Sequence, residues 1–437
     1  MNASVRQVEL LPQFSTSREF AQDCDAADIL APYRRQFEIP RASSGGELTY
    51  LCGHSLGLAP RAALDYVSEE LAEWAQLGVS GHHVATRPWI DYAQNFTKGL
   101  AQLAGALPGE VVVMNSLTVN LHLMMTSFYR PVGMRDKVLI EAGAFSSDRH
   151  AILGQLAWHK LDAVDTLVEI APRAGEETLR IEDIEAKIAE MGSELAMVLW
   201  PGVQYLTGQA FDCARIARAA QAAGAIIGFD MAHAIGNLPL ALHDWNADFA
   251  VWCSYKYLNA GPGAIGGCFV HEKHFANSPV RLSGWWGHDP NTRFQMGPDF
   301  KPAAGAAGWA VSNPPIFSAA PLLASLEIFR SAGMDEIRAK SQRLTAYATR
   351  LLGERCGNDI TIITPAAAEE RGCQLSVRIA GGPRRGRRIF DALGDKGIVC
   401  DWREPDIIRV APVPLYNRFI DVFELVEELS HALKEIT

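Results

Sequence analysis

From about residue 110 to residue 270 the chain repeats one pattern, a short apolar run followed by a helix-length stretch. Val111-Val112-Val113-Met114 reads as a strand, followed by a helix from Thr118 to Tyr129 that Pro131 closes. Val138-Leu139-Ile140 is a second strand, and Leu195 to Trp200 a third, ended by Pro201-Gly202. A helix from about Ala214 to Ala223 stops at Gly224, before the strand Ala225-Ile226-Ile227-Gly228-Phe229. Phe249 to Cys253 and Gly266 to Val270 complete the series. Strand and helix in alternation predict an α/β fold with a mostly parallel sheet flanked by helices. Ligands of such sheets bind at the carboxyl ends of the strands.

Two of those ends carry chemistry. The strand before Asp230 is followed by Met231-Ala232-His233, and the strand ending at Cys253 leads to Ser254-Tyr255-Lys256 and the glycine-rich turn Gly261-Pro262-Gly263. A lysine at the end of a buried strand is partly desolvated, which favours the neutral amine that attacks a carbonyl and forms a Schiff base. A carboxylate at the end of another strand can keep a pyridine nitrogen protonated, which makes the ring an electron sink. That pair is what pyridoxal 5'-phosphate requires. Asn115-Ser116-Leu117-Thr118 lies between a strand and a helix start, where free backbone N–H groups and the helix dipole suit a phosphate. Thr118 as a simple N-cap is the plainer reading of that turn.

At 437 residues the chain exceeds one compact core, so two domains are expected. After Ser312-Asn313-Pro314-Pro315 the character changes. A long helical stretch from about Leu322 to Leu352 leads to short strands at Leu375 to Ile379 and Ile407 to Val410. The expected division is an N-terminal segment over residues 1–60 packing with the small domain, a large cofactor-binding domain over 61–315 and a small α+β domain over 316–437. Arg384-Arg385-Gly386-Arg387-Arg388 reads as a solvated turn before a helix beginning near Ile389. The net charge of −10, from 50 acidic and 40 basic residues, argues against nucleic acid or an anionic membrane as a partner. No stretch has signal-peptide or transmembrane length, so a cytoplasmic location is expected. The eight cysteines form no Cys-x-x-Cys pair and read as reduced packing residues. No histidine has metal-ligand spacing, so no metal is expected.

The segments Tyr50 to Gly57, Gly228 to Ala234, His243-Asp244-Trp245, Trp252 to Gly263, Gly284-Trp285-Trp286-Gly287-His288 and Ser312 to Pro315, in this order, resemble kynureninase. That family belongs to the pyridoxal-phosphate enzymes of fold type I, the aspartate-aminotransferase fold. The resemblance implies that Lys256 carries the cofactor and that Asp230 pairs with its ring nitrogen. It puts His233 beside the ring, Phe145 stacked on it with Asp148 close by, and Leu117, Thr118 and the Tyr255 hydroxyl at the phosphate. Trp285 and Asn313 match positions that reach the cofactor from the neighbouring subunit of a homodimer with shared active sites.

A substrate α-carboxylate needs a guanidinium, and Arg409, flanked by Ile408 and Val410, stands where this fold puts one. His82, Ser312 and Asn313 resemble the aromatic-ring pocket of members that prefer 3-hydroxykynurenine, while Trp286 departs from them in bulk. Pro201 stands where some members offer the phosphate a small polar residue. The implied reaction is hydrolytic Cβ–Cγ cleavage of a kynurenine to an anthranilate and L-alanine, in tryptophan breakdown, with Lys256 moving the Cα proton and Tyr255 a second proton-transfer group. A cysteine desulfurase or β-lyase of the same fold, or a cofactor-binding protein without turnover, are the alternatives.

Overall fold

A computed structural model describes residues 14–43, 45–276 and 280–436. Residues 1–13 of the expected N-terminal segment therefore lie outside the described residues. Among the described residues seven strands make the large sheet: β1 (Val111–Val113), β2 (Lys137–Glu141), β3 (Leu167–Ile170), β4 (Leu195–Pro201), β5 (Ile226–Asp230), β6 (Phe249–Trp252) and β7 (Gly267–Val270). Their spatial order is β1-β7-β6-β5-β4-β2-β3. The four pairs from β6 to β3 are parallel, and β7 is antiparallel to both of its neighbours. All strands except β7 thus point the same way, so the segments leaving β1, β2, β4, β5 and β6 emerge along one edge.

Central strands are buried over all but an end residue, which is why they read as apolar runs. Trp200 and Trp252 are fully buried, and each aromatic of this kind contributes roughly 4–6 kcal/mol of gross hydrophobic stabilisation. The β-carbon of any larger residue at 228 would meet the Phe249 ring at 2.1 Å, so Gly228 is fixed by packing rather than by its dihedrals.

A four-stranded antiparallel sheet, Asp401–Arg403, Ile407–Val410, Leu375–Ile379 and Ile360–Ile362, forms the second core with helices Met334–Cys356, Pro383–Asp395 and Phe419–Glu435. The helical stretch expected over 322–352 is two helices, Ile316–Ala332 and Met334–Cys356, broken at Gly333 with φ +78°. Ile316–Ala332 packs into the core of the large sheet, and Met334 and Ile337 at the start of the next helix still belong to it. The arginine run is a second correction. Pro383 starts the helix, and Arg384 to Arg388 lie within its first turns rather than in a preceding turn.

The N-terminal segment touches both cores, Ala21, Cys24 and Leu51 in one and Leu30, Phe37 and Leu58 in the other. Among the described residues no helix is long and apolar enough to cross a membrane.

Candidate active site

Residues from all five carboxyl-end segments line one cavity: Leu117 and Thr118 after β1, Glu141, Phe145, Ser147 and Asp148 at β2, Pro201, Val203 and Tyr205 at β4, Asp230, Ala232 and His233 at β5, and Tyr255 and Lys256 after β6. The turn after β1 is built by Asn115, which takes φ +47° and donates from Nδ2 to Asn120 Oδ1 at 2.9 Å. The helix that follows, Leu117–Phe128, is capped by Ser116 with no side-chain hydrogen bond, so Thr118 is not its cap. Its first backbone N–H groups face the cavity end of the helix, where an anion is favoured.

Lys256 Nζ lies 3.2 Å from His233 Nε2 and 5.7 Å from the centre of the Phe145 ring. Burial, and then the charge of Lys256, pushes His233 well below its ordinary pKa, so its ring is neutral, with Nε2 in hydrogen-bond reach of the lysine. The Tyr255 phenol is pushed up by burial and stays protonated. The Lys256 turn is buttressed from the N-terminal segment. Gly57 N donates to Tyr255 O at 2.8 Å, and a β-carbon on Gly57 would stand 2.2 Å from Lys256 O.

Three buried carboxyl groups share this cavity. Burial raises Asp230, while the charge of Lys256 and the Ala232 N–H at 2.7 Å pull it back. Asp148 is raised well above the ordinary range, by burial and then by the charge of Asp230 against it. Burial pushes Glu141 up to about 8. One lysine against three carboxyl groups leaves the cavity short of positive charge, and a protonated ring nitrogen supplies it. These residues fit pyridoxal phosphate, since they offer a helix start suited to a phosphate, a buried carboxyl group suited to a ring nitrogen and a lysine amine suited to an aldehyde.

Other expected site residues do not line this cavity. Arg409 is fully buried on the small sheet, bonded to the Tyr205 carbonyl and to Asp401. His82, Ser312 and Asn313 are exposed in the single chain, and His82 packs edge-on against Trp89. Trp285, 49% exposed, lines a separate hollow with His288, Arg293 and Phe300. Glu141 and Tyr205 were not anticipated as lining residues, although Glu141 ends an apolar strand just as Asp230 does. Pro201, noted only as a departure, also lines the cavity. Metal-ligand spacing in sequence did not reveal two groups that meet in space, Cys52/His54/Asp401 and Glu110/His243/His271.

A family profile for the kynureninase C-terminal domain matches residues 337–429, and one for the DegT/DnrJ/EryC1/StrS aminotransferase family matches residues 83–239. Kynureninase of Xanthomonas campestris pv. campestris is 54% identical over 95% of this chain and 97% of its own. That of Myxococcus xanthus is 54% identical over 97% of this chain and 99% of its own. Among solved structures, a cysteine desulfurase of Thermococcus onnurineus superposes with TM-score 0.74 at 18% identity, covering 89% of this chain and 95% of that one. A cystine C–S lyase variant with glycine covalently linked to its pyridoxal-phosphate cofactor gives TM-score 0.74 at 18% identity, over 92% of this chain and 98% of that one. These two share the fold, which is pyridoxal-phosphate fold type I. Identity of this extent along nearly the whole length settles the family: the chain belongs to the kynureninases.

Proposed function

We propose that the chain hydrolyses the Cβ–Cγ bond of L-kynurenine or 3-hydroxy-L-kynurenine, giving anthranilate or 3-hydroxyanthranilate and L-alanine. The observation that carries this reading is the 54% identity to relatives named kynureninase, running through 95% of the chain. Bound in the cavity, pyridoxal phosphate supplies an electron sink for negative charge at the substrate's Cα and Cβ.

The chain's own residues do the rest. The start of helix Leu117–Phe128 would hold the phosphate, and the Asp230 carboxylate would accept the hydrogen bond of the protonated ring nitrogen. With the substrate bound, Lys256 would carry a proton to and from Cα, and neutral His233 stands 3.2 Å from its Nζ. Arg409 takes the α-carboxylate. Water adds to the γ-carbonyl, and the Cβ–Cγ bond breaks with its electron pair left on Cβ. The carbonyl carbon departs as the aromatic carboxylate, and Cβ gains a proton to become the methyl of alanine. Tyr255, whose phenol keeps its proton, serves that transfer.

His82, Ser312, Asn313 and Trp285 complete the ring pocket and cofactor site across a homodimer. Their exposure in the single chain, beside the exposed aromatic Trp74, supports this. The enzyme works in the cytoplasm, in tryptophan breakdown. The desulfurase alternative is disfavoured by the cysteines: seven are buried, and Cys52, half-buried, has its thiol pushed up to about 12 by burial.

Purified, cofactor-loaded protein should release alanine from kynurenine, 3-hydroxykynurenine or both, and the ratio of the two rates reports what His82, Asn313 and Trp286 select. No alanine from either, with sulfur released from cysteine, would overturn the assignment.

A further inference from the structure

Arg409 faces Asp401 across the register of two antiparallel strands, and the same carboxylate serves a second arginine. Asp401 Oδ2 accepts from Arg409 Nη2 and, at 3.1 Å, from Arg403 Nη2, and His54 Nε2 lies 3.4 Å away. Arg409 Nη1 donates to the Tyr205 carbonyl at 2.5 Å. The guanidinium carbons of Arg403 and Arg409 stand 5.9 Å and 6.0 Å from the centre of the Tyr205 ring, and Tyr205 lines the Lys256 cavity. Two guanidiniums therefore converge on the edge of the site with one carboxylate between them.

The unused donors give this cluster its meaning. Nε of Arg409 and Nε of Arg403 are both buried without a partner, and Arg409 is only 1% exposed. A buried charged donor without an acceptor is costly, and a second carboxylate would supply acceptors to both. Asp401 cancels one of the two positive charges, so the cluster retains the single charge that one carboxylate matches. His54 closes the far side of Asp401 without adding another. It is fully buried, and burial pushes its ring down to about 4. Asp401 itself is raised by burial but held well below the usual carboxylate range by His54 and Arg409, so it stays charged.

We propose that Arg403 is a second binding arginine for the substrate's α-carboxylate, and that Asp401 is the positioning residue that aims Arg403 and Arg409 and sets the receptor to a single negative charge. This rests on the amino-acid-cleaving reading of the site. A salt-bridged strand pair with no ligand role would leave substrate affinity indifferent to Arg403.

The test is steady-state alanine release by the holoenzyme at constant ionic strength, in chloride and in sulfate, for the wild type, Arg403→Gln, Arg403→Lys and Asp401→Asn. Arg403→Gln is expected to raise KM about tenfold with kcat within about threefold, and Arg403→Lys to recover only part of it. Asp401→Asn leaves two uncancelled guanidiniums, so sulfate should compete with substrate and raise KM about tenfold over chloride, against less than about twofold in the wild type. If Asp401→Asn fails to fold, Arg403→Gln decides alone, since that side chain is 37% exposed. An unchanged KM for Arg403→Gln in a wild type that turns over would overturn this inference and leave the activity standing. No turnover by the wild type would instead overturn the reading beneath it.

Discussion

The two ends of the large sheet bury carboxylates in opposite ways. At the end away from the site, Glu110 is fully buried yet accepts from His243 Nδ1 at 2.9 Å, Leu107 N at 2.9 Å and Glu272 N at 2.9 Å. Asp248 there accepts from Ile227 N, His274 Nε2 and Lys273 Nζ, each within 2.9 Å. Burial works to raise it, and His274 and Lys273 more than offset that, so it lies below its ordinary value. At the site end, Asp230, Asp148 and Glu141 are all raised. The sheet supplies equal burial at both ends, so the difference lies in the donors. A carboxylate given three donors by the chain holds structure together, and one given fewer is kept for a ligand: Asp230 has the Ala232 N–H, Asp148 the Ser147 hydroxyl and Glu141 the Gln204 side chain.

The largest effect that would sharpen this contrast is on turnover. Asp230→Asn should lower kcat by about 10²–10⁴-fold, because a neutral amide cannot keep the ring nitrogen protonated, while stability stays within about 1 kcal/mol. Unfolding and alanine release measured on the same preparation separate the two. Next is Glu110→Ala, which strands a histidine and two backbone N–H groups. It should cost roughly 3 kcal/mol in denaturant unfolding, with kcat per folded enzyme unchanged within about twofold. Turnover lost in step with Glu110 would break the contrast.

The smallest effect is on pH. Glu141 moves from an ordinary 4.5 to about 8 on folding, so the folded chain binds its proton more tightly. The stability this contributes is fully present below 4.5 and is lost as pH rises through about 8. In chain stripped of cofactor, Glu141→Gln should flatten that decline in Tm between those limits. A parallel decline in both proteins would assign it to another group.

Much of this was legible in the sequence, for a physical reason. Strands buried on both faces are apolar at every position, so β4, β5 and β6 announce themselves, and a charged residue closing such a run, Asp230 or Lys256 nearby, stands out. Glu141 carries the same signal after Val138-Leu139-Ile140. The edge strand Leu167–Ile170 is half-exposed and gives no such run. Gly333 hid inside helical periodicity that continues on both sides of it. The Asp401 cluster depends on cross-strand register between residues eight apart, and His54 joins it from the far N-terminal segment; neither is visible to local pattern. The roles given to His82, Ser312, Asn313 and Trp285 rest on resemblance alone, since one chain leaves them exposed.

The most direct measurement is equilibrium binding of pyridoxal phosphate to cofactor-stripped wild type and Asp230→Asn, followed by the visible absorbance of the bound cofactor. Donor-poor carboxylates that await a protonated ring nitrogen should make the wild type bind at least about tenfold more tightly, a difference of about 1.4 kcal/mol. Equal affinity in the two proteins would contradict the claim that the Asp230 carboxylate is kept for the cofactor.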